Sequence, residues 1–187
     1  MRHLPAAGYR PMPWKNGQGI THEIAREPAD ADRFSWRLSI AEVAASSAFS
    51  PFPGYDRTIT LIAGEGMRLE FDGAPAKVLD QRLVPFAFSG DWPCRCRLLG
   101  GPVRDFNLMV DRERGRAETE VLRLPAAPVA RAVADGWLLV YCAEGRLASQ
   151  GLCAEAGDTL ALEAGRHVLV GPDALALVMS VHMLRGK

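Results

Sequence analysis

The stretch FSPFPGYDRTITLIAGEG, residues 49–66, predicts a tight turn, a strand and a second turn. Its Pro-Phe-Pro-Gly segment bends the backbone, because proline fixes φ and glycine tolerates positive φ. Residues 57–62 are rich in Thr and Ile, which suit a pleated surface. Asp56 and Arg57 fall where the turn enters the strand. In β-barrels this is a position for ligand contacts, so we expect the rest of the chain to form walls around it.

The rhythm of short strands and Pro/Gly turns continues along the chain, which contains 18 glycines and 13 prolines. No segment has a long apolar period of 3.6 residues, so an all-β barrel or sandwich is predicted. Similar strand–Gly–strand hairpins at 58–70 and 138–147 indicate two small barrels in one compact chain. The charged run DRERGRAETE, residues 111–120, is interpreted as a solvated connection. Domains are therefore expected at 1–120 and 121–187.

Composition excludes several classes of partner. The 22 basic and 22 acidic residues balance, whereas a nucleic-acid binder would have a clustered basic excess. No apolar run approaches the ~20 residues that span a bilayer, and the N-terminal sequence lacks the pattern of a secretory signal. The four cysteines have no C-x-x-C spacing, which disfavours a zinc site and fits reduced thiols. We expect a cytoplasmic protein with no nucleic-acid or membrane partner.

Two early segments carry polar residues with two interpretations each. The turn PWKNGQG at 13–19 is either a surface loop with its Trp on the core, or a lid presenting Lys15 and Asn16 to a ligand. In FSWRLSIAEV, residues 34–43, the apolar residues alternate with Arg37 and Ser39. These two side chains are either exposed or face the inside of a barrel that binds something polar.

The strand VRDFNLMV, residues 103–110, directs Asp105 and Asn107 to one face. Polar groups buried without partners are costly, so both are either exposed or part of a satisfied polar site. Arg104 beside Asp105, like Asp56 beside Arg57, is also consistent with a plain ion pair.

Four motifs in order resemble the HutD/Ves family of small bicupin proteins. They are PWKNGxGxT at 13–21, WRxSxA at 36–41, FSxFPGxDR at 49–57 and GGPxRDxNLM at 100–109. The resemblance implies two cupin-like β-barrels and a cytoplasmic bacterial protein. For the HutD branch it implies a regulatory role in histidine utilisation through a small ligand such as N-formylglutamate or urocanate. The Ves branch is associated with stress response, and the sequence does not decide between the branches.

The histidines argue against a metal centre, and no cofactor is expected. Metal-dependent cupins use a His-x-His pair, and His3, His22, His167 and His182 form no such pair. On the strand that would carry the pair, Arg57 would repel a divalent cation. We expect no metal, with His182 in the core and His22 a minor candidate for the site.

The matched motifs gather residues suited to a small carboxylate, because arginine holds a carboxylate through a planar fork. Phe49 and Phe52 would add apolar walls. The predicted ligand-binding residues are Trp14, Lys15, Asn16, Arg37, Ser39, Asp56, Arg57, Arg104, Asp105 and Asn107.

Two functions follow from this set. The first is a non-catalytic binding or sensing protein for a small carboxylate. The alternative is a metal-free isomerase or hydrolase that uses Lys15 or Asp105 as acid or base. Because cupins often pair through strand edges, the resemblance also leaves a homodimer open.

Overall fold

The computed structural model describes residues 1–31 and 33–184, and the described chain is built of β-strands with one short 3-10 helix at Ala6–Gly8. The all-β prediction is confirmed. The first nine strands are β1 (Arg2–Leu4), β2 (Arg10–Pro13), β3 (Gly19–Glu27), β4 (Trp36–Val43), β5 (Ser47–Phe49), β6 (Tyr55–Ala63), β7 (Met67–Phe71), β8 (Ala74–Leu79) and β9 (Phe86–Ser89). The remaining strands are β10 (Cys94–Leu98), β11 (Val103–Asp111), β12 (Gly115–Arg123), β13 (Val129–Glu144), β14 (Arg146–Ser149), β15 (Leu152–Glu155), β16 (Thr159–Leu169) and β17 (Leu175–Met183).

The chain forms two compact units whose limits differ from the predicted domains 1–120 and 121–187. The central unit is Arg10–Glu113, and the terminal unit combines Met1–Tyr9 with the chain from Arg114 onward. The charged run at 111–120 is not a solvated connection. After a short turn it becomes β12, which pairs with β17 from Gly115 to Arg123. Its alternating charges mark a strand with one exposed face, and this pattern resembles a loop when composition alone is considered.

Two antiparallel sheets form the central unit. One has the order β2-β3-β4-β11-β6-β9 and the other β5-β10-β7-β8. Apolar residues of both sheets pack into one core, with Val43 and Leu61 from the first and Met67, Leu69 and Cys96 from the second. This core fills one part of the interior, and polar residues occupy the inward positions of the remaining part.

The register of β4, β11 and β6 determines which polar residues are neighbours. Residues two apart on a strand point to the same face, so three rows of inward side chains cross these strands. The rows are Arg37–Met109–Arg57, Ser39–Asn107–Ile59 and Ala41–Asp105–Leu61. On β4 the inward residues alternate with Trp36, Leu38 and Ile40, which are also buried. The alternation predicted for this strand is therefore present, with both faces covered.

The terminal unit has a sheet of order β1-β16-β13-β17-β12 and the hairpin β14–β15. Its core is apolar and includes Leu138, Leu160 and Val178. Gly136 (φ 122°) and Gly165 (φ 146°) lie inside the long strands β13 and β16. Between Val133 and Trp137 the register shifts, as in a β-bulge.

Candidate functional site

A cavity of about 480 Å³ opens into the central unit. Its lining comes from the β2–β3 hairpin, the inward faces of β4, β6 and β11, and the segment that runs from β5 toward β6. It includes eight of the ten residues predicted from the motifs, namely Trp14, Lys15, Asn16, Arg37, Ser39, Arg57, Asp105 and Asn107. Phe49 and Phe52 also line it.

The other two predicted residues lie outside the lining. Asp56 is exposed, and its Oδ1 accepts a hydrogen bond from Arg112 Nε at 2.7 Å. Arg104 is exposed with its Nε 3.4 Å from Glu42 Oε1. Adjacent residues on a strand point to opposite faces. Because Arg57 and Asp105 point inward, their neighbours Asp56 and Arg104 point outward, and neither proposed pair forms.

A buried polar chain of three residues crosses the cavity floor. Arg57 Nη2 donates to Asn107 Oδ1 at 2.9 Å. Asn107 Nδ2 in turn donates a short hydrogen bond to Asp105 Oδ1. Two buried atoms of this chain, Arg57 Nε and Asp105 Oδ2, have no hydrogen-bond partner. Buried polar groups are normally satisfied, so these two atoms are positions where another molecule would be stabilised.

Arg57 is 5 % exposed and packed among aromatic rings. Its guanidinium carbon lies 5.0 Å from the ring centre of Phe88, 5.4 Å from that of Phe52 and 5.8 Å from that of Phe49. Burial lowers the pKa of Arg57 to about 10, although the charge of Asp105 opposes this shift. The side chain therefore remains a cation at neutral pH, held by ring faces and one neutral amide.

Asp105 is fully buried. Burial raises its pKa to about 7, and the nearby charge of Arg57 offsets only part of that effect. A carboxyl group in this position is close to half-protonated at neutral pH. It can therefore accept or donate a hydrogen bond through Oδ2.

The second arginine of the cavity is already neutralised. Arg37 Nε donates to Glu23 Oε2 at 2.6 Å, and both side chains are about 10 % exposed. Lys15, in the β2–β3 turn, has no ion pair among the described residues. The cavity therefore holds two cations without a paired carboxylate, Arg57 at the floor and Lys15 at the hairpin.

The β2–β3 hairpin forms one wall. Trp14 Nε1 donates to Thr21 Oγ1 at 2.8 Å, and its ring meets Phe49 edge-on with centroids 6.1 Å apart. Gly19 is required here, because an added Cβ would lie 2.6 Å from Glu42 O and 3.0 Å from the Trp14 ring. The turn is preceded by β2 and followed by β3.

Sequence reasoning missed two residues that organise the site, Glu23 and Arg112. Glu23 lies opposite Ser39 on the neighbouring strand, a relationship that needs the register. Arg112 belongs to the charged run taken for a connection. It bonds Asp91 Oδ2 at 2.7 Å and Tyr55 O at 3.0 Å, and so ties down the segment before β6.

The histidines lie apart from the cavity. His182 is exposed rather than part of the core, because it falls on the outward face of β17. His22 Nε2 is 3.5 Å from Glu42 Oε1. In residues 1–31 and 33–184 no group of three His, Cys, Asp or Glu side chains is arranged to hold a metal ion. Four free cysteines are present, of which Cys153 is exposed and the other three are buried.

The fold and the cavity define a small all-β protein with a polar pocket between apolar walls. The chain belongs to the HutD family, whose model matches residues 6–179. The HutD/Ves resemblance is thereby confirmed. No helix in the described part of the chain is long and apolar enough to cross a membrane.

Individual relatives agree with this family. HutD from Pseudomonas fluorescens SBW25 is 35 % identical with a TM-score of 0.88, over 99 % of both chains. A conserved protein of unknown function from Pseudomonas aeruginosa PAO1 is 39 % identical with a TM-score of 0.87, over 97 % of this chain and 98 % of that one. YhhW from Escherichia coli, 9 % identical with a TM-score of 0.71 over 100 % and 98 % of the two chains, shares the fold alone.

Two further relatives align over shorter stretches. An uncharacterised 21.2 kDa protein from the region 3′ of hutC in Pseudomonas putida is 49 % identical over 118 residues, which are 63 % of this chain and 62 % of that protein. Protein Ves from Cronobacter sakazakii is 42 % identical over 109 residues, 58 % of this chain and 59 % of that one. The alignments thus span about three-fifths of the length of these relatives.

Proposed function

We propose that this protein binds a small carboxylate metabolite in the cavity without transforming it, and that binding serves a regulatory role in histidine utilisation. The observation that carries the proposal is the environment of Arg57. A buried cation is stable only when it is compensated, and the described residues give this guanidinium one neutral acceptor while leaving its Nε unpaired.

A bound carboxylate would supply the missing partner. Hydrogen bonds between arginine and a carboxylate are charge-assisted and stronger than neutral ones. The Phe49 and Phe52 rings exclude water from the guanidinium, which strengthens the interaction with an anion. Lys15 adds a second positive charge at the hairpin, suited to a second acidic group.

The volume fits a metabolite rather than a macromolecule. About 480 Å³ falls in the range of about 300–1,000 Å³ typical of small-molecule sites. N-formylglutamate, with two carboxylates, and urocanate, with one carboxylate on a flat unsaturated skeleton, are the candidate ligands. We also interpret each unit as a cupin-like barrel in a cytoplasmic bacterial protein.

Membership of the HutD family and the relative from the hutC region support the link to histidine utilisation. The similarity to protein Ves keeps a stress-response role as the alternative regulatory setting.

Asp105 favours a second candidate function, a metal-free isomerase or hydrolase. General acid–base catalysis requires a group with a pKa near the working pH and within reach of the substrate. Asp105 has a pKa raised to about 7 by burial, and its Oδ2 lacks a partner. However, no nucleophile–base pair accompanies it in the lining, so binding without turnover remains our preferred function.

Thermal denaturation with and without each ligand tests the proposal. A ligand that binds only the folded state at 100-fold its Kd adds about 2.7 kcal/mol. At about 2–4 °C per kcal/mol, this raises Tm by roughly 5–10 °C. We would use N-formylglutamate, urocanate, glutamate and histidine, and compare the wild type with Arg57→Ala. Arg95→Ala removes an exposed arginine from the outer face of β10 and serves as the matched control.

A dose-dependent rise for one acid that is lost in Arg57→Ala and kept in Arg95→Ala is the expected result. A rise of equal size in both variants would place the anion elsewhere and reject the site. Incubating the stabilising acid with the protein and recording its NMR spectrum over hours separates binding from turnover, since the preferred function leaves the acid unchanged.

A further inference from the structure

The two oxygens of Asp105 have different surroundings. Oδ1 accepts the hydrogen bond from Asn107 Nδ2, whereas Oδ2 is buried in the cavity lining without a partner. A proton on this carboxyl group therefore belongs on Oδ2, because Oδ1 already receives a donor. In that state Oδ2 becomes a hydrogen-bond donor on a residue that lines the cavity.

The orientation of Asn107 is fixed by its other neighbour. A guanidinium can only donate, so the atom of Asn107 that faces Arg57 Nη2 is the carbonyl oxygen. The amide nitrogen must then face Asp105. Asn107 is thus a positioning residue that holds Oδ1 as an acceptor and leaves Oδ2 for the proton.

The charged and titratable groups around Asp105 come from several strands. Arg57 from β6 provides the positive charge, while Arg37 from β4 is paired with Glu23 from β3.

Two thiols from β10 also lie near Asp105. Burial raises the pKa of Cys96 to about 12. Cys94, also on β10, is likewise held neutral, since burial raises its pKa to about 11. Lys15 adds positive charge from the hairpin. Apart from Lys15, the cavity floor therefore has a net charge of +1 from Arg57 when Asp105 is protonated and of zero when Asp105 is ionised.

We propose that the cavity takes up one proton together with its anionic ligand. The proton comes from solvent and binds Asp105 Oδ2, which then donates to an oxygen of the ligand while Arg57 Nε donates to the carboxylate. No other bond forms or breaks. This inference rests on the proposed function, since it describes how the same cavity recognises a carboxylate.

Two consequences follow for the ligand. It must offer acceptor oxygens to both Oδ2 and Nε, which a carboxylate or a carboxylate next to a carbonyl does. Its affinity must also depend on pH. In the ligand-free protein the pKa of Asp105 is about 7, and a bound anion raises it further. At pH values between the ligand-free and the ligand-bound pKa of Asp105, the affinity for the ligand falls about tenfold for each unit of rising pH.

A ligand with a cationic amino group would behave differently. It would pair with the ionised carboxylate of Asp105, take up no proton, and bind better as pH rises. The two modes are therefore distinguished by the sign of the pH dependence and by the proton count.

Isothermal titration calorimetry of the full chain tests the inference. Urocanate, N-formylglutamate and formate are titrated at pH 6 and pH 8, at each pH in two non-anionic buffers that differ in ionisation enthalpy. Proton uptake of about 0.9 per ligand at pH 8 and about 0.1 at pH 6 is expected for a group with a ligand-free pKa near 7. Asp105→Asn removes the pH dependence, whereas Asp72→Asn, an exposed aspartate in the β7–β8 turn, keeps it.

A second measurement works on the wild type without ligand. Carbon-13 NMR of aspartate-labelled protein follows the carboxyl carbon of Asp105, which we expect to titrate near pH 7. Titration near pH 4 would overturn the inference. So would binding that has equal affinity at pH 6 and pH 8 with no proton uptake, which leaves the proposed function standing. If none of the three probes binds while Asp105 titrates near 7, the proposed function itself fails, and the coupling to a ligand fails with it.

Discussion

Arg37 donates from Nε to Glu23 Oε2 at 2.6 Å across the β3–β4 pair. Glu23 Oε1 also lies 3.5 Å from Arg10 Nη2 and 3.9 Å from Arg26 Nε. The carboxylate of Glu23 thus lies near three arginines. Because it is ion-paired with Arg37, the Arg37 guanidinium is not available to bind an anionic ligand. The cavity has two buried arginines in the same row, Arg37 and Arg57. Glu23 makes them unequal, because it pairs with Arg37 and leaves Arg57 without a carboxylate partner.

Replacing Glu23 by Gln removes this inequality. We expect Glu23→Gln to lower the free energy of unfolding by about 1.5–3 kcal/mol, the usual size of a hydrogen bond to a charged group. The same change leaves Arg37 available and raises the affinity for dianions. Urea unfolding and calorimetric titration measure the two effects. Glu42→Gln, at an exposed pair with Arg104, is the control and is expected to change stability by under about 1 kcal/mol. Equal effects of both variants would contradict the assignment.

Asp105→Asn changes the pH dependence of stability. The folded-state pKa of Asp105, about 7, is above its unfolded value, so its contribution is fully present below pH 4 and is lost as pH rises to 7. Between pH 5 and pH 8 the wild type should lose about 3 kcal/mol relative to Asp105→Asn, at 1.36 kcal/mol per pKa unit. Urea unfolding at several pH values measures this difference. Parallel curves for the two proteins would show that Asp105 is ionised throughout.

Gly19→Ala tests the packing of the hairpin wall. The added methyl group meets a backbone carbonyl and the Trp14 ring at 3.0 Å or less, and such overpacking typically costs about 1–3 kcal/mol. The shift of Trp14 should also weaken ligand binding. Gly101→Ala is the matched control, because its Cβ would have no atom within 4 Å. Thermal denaturation and near-ultraviolet circular dichroism compare the two variants, and equal Tm values would contradict the close contact.

The cysteines should differ sharply in reactivity. Cys153 is exposed while Cys94, Cys96 and Cys142 are buried. Burial also raises the pKa of Cys94 and of Cys142 to about 11, and the thiolate is the reactive form. A thiol-specific reagent at pH 8 should modify one cysteine per native chain and four in denaturant. Cys153→Ser should abolish the native reaction, and a second fast thiol in that variant would indicate that a buried strand opens.

Much of the central unit could be predicted from the sequence, because its inward and outward residues alternate. The strand predicted around residues 57–62 lies within β6, and Arg37 with Ser39 share one face as expected. The terminal unit was harder to predict. The charged run at 111–120 is predicted from composition as a connection, whereas its residues from Gly115 onward belong to β12.

The candidate site could also be predicted only in part from the sequence. Asp56 and Arg104 are predicted beside Arg57 and Asp105 as ligand-binding residues, with plain ion pairs as the alternative, although neighbours on one strand cannot share a face. Applying the period of two that was used for residues 34–43 would have excluded Asp56 and Arg104. Glu23 and Arg112 could not be found this way, because their roles depend on strand register and on contacts between residues distant in the chain.

The terminal unit combines Met1–Tyr9 with the chain from Arg114 onward. This arrangement determines the order in which the two units can fold during synthesis. β1 pairs with β16, where His3 lies opposite Leu160, so β1 has no partner strand until β16 has left the ribosome. The central unit is continuous from Arg10 to Glu113 and can close before then. Domains generally fold as units as they emerge, and long loop closures are slow. The cavity should therefore form first during synthesis. Strand β1 should remain without a partner strand until the last third of the protein has been synthesised.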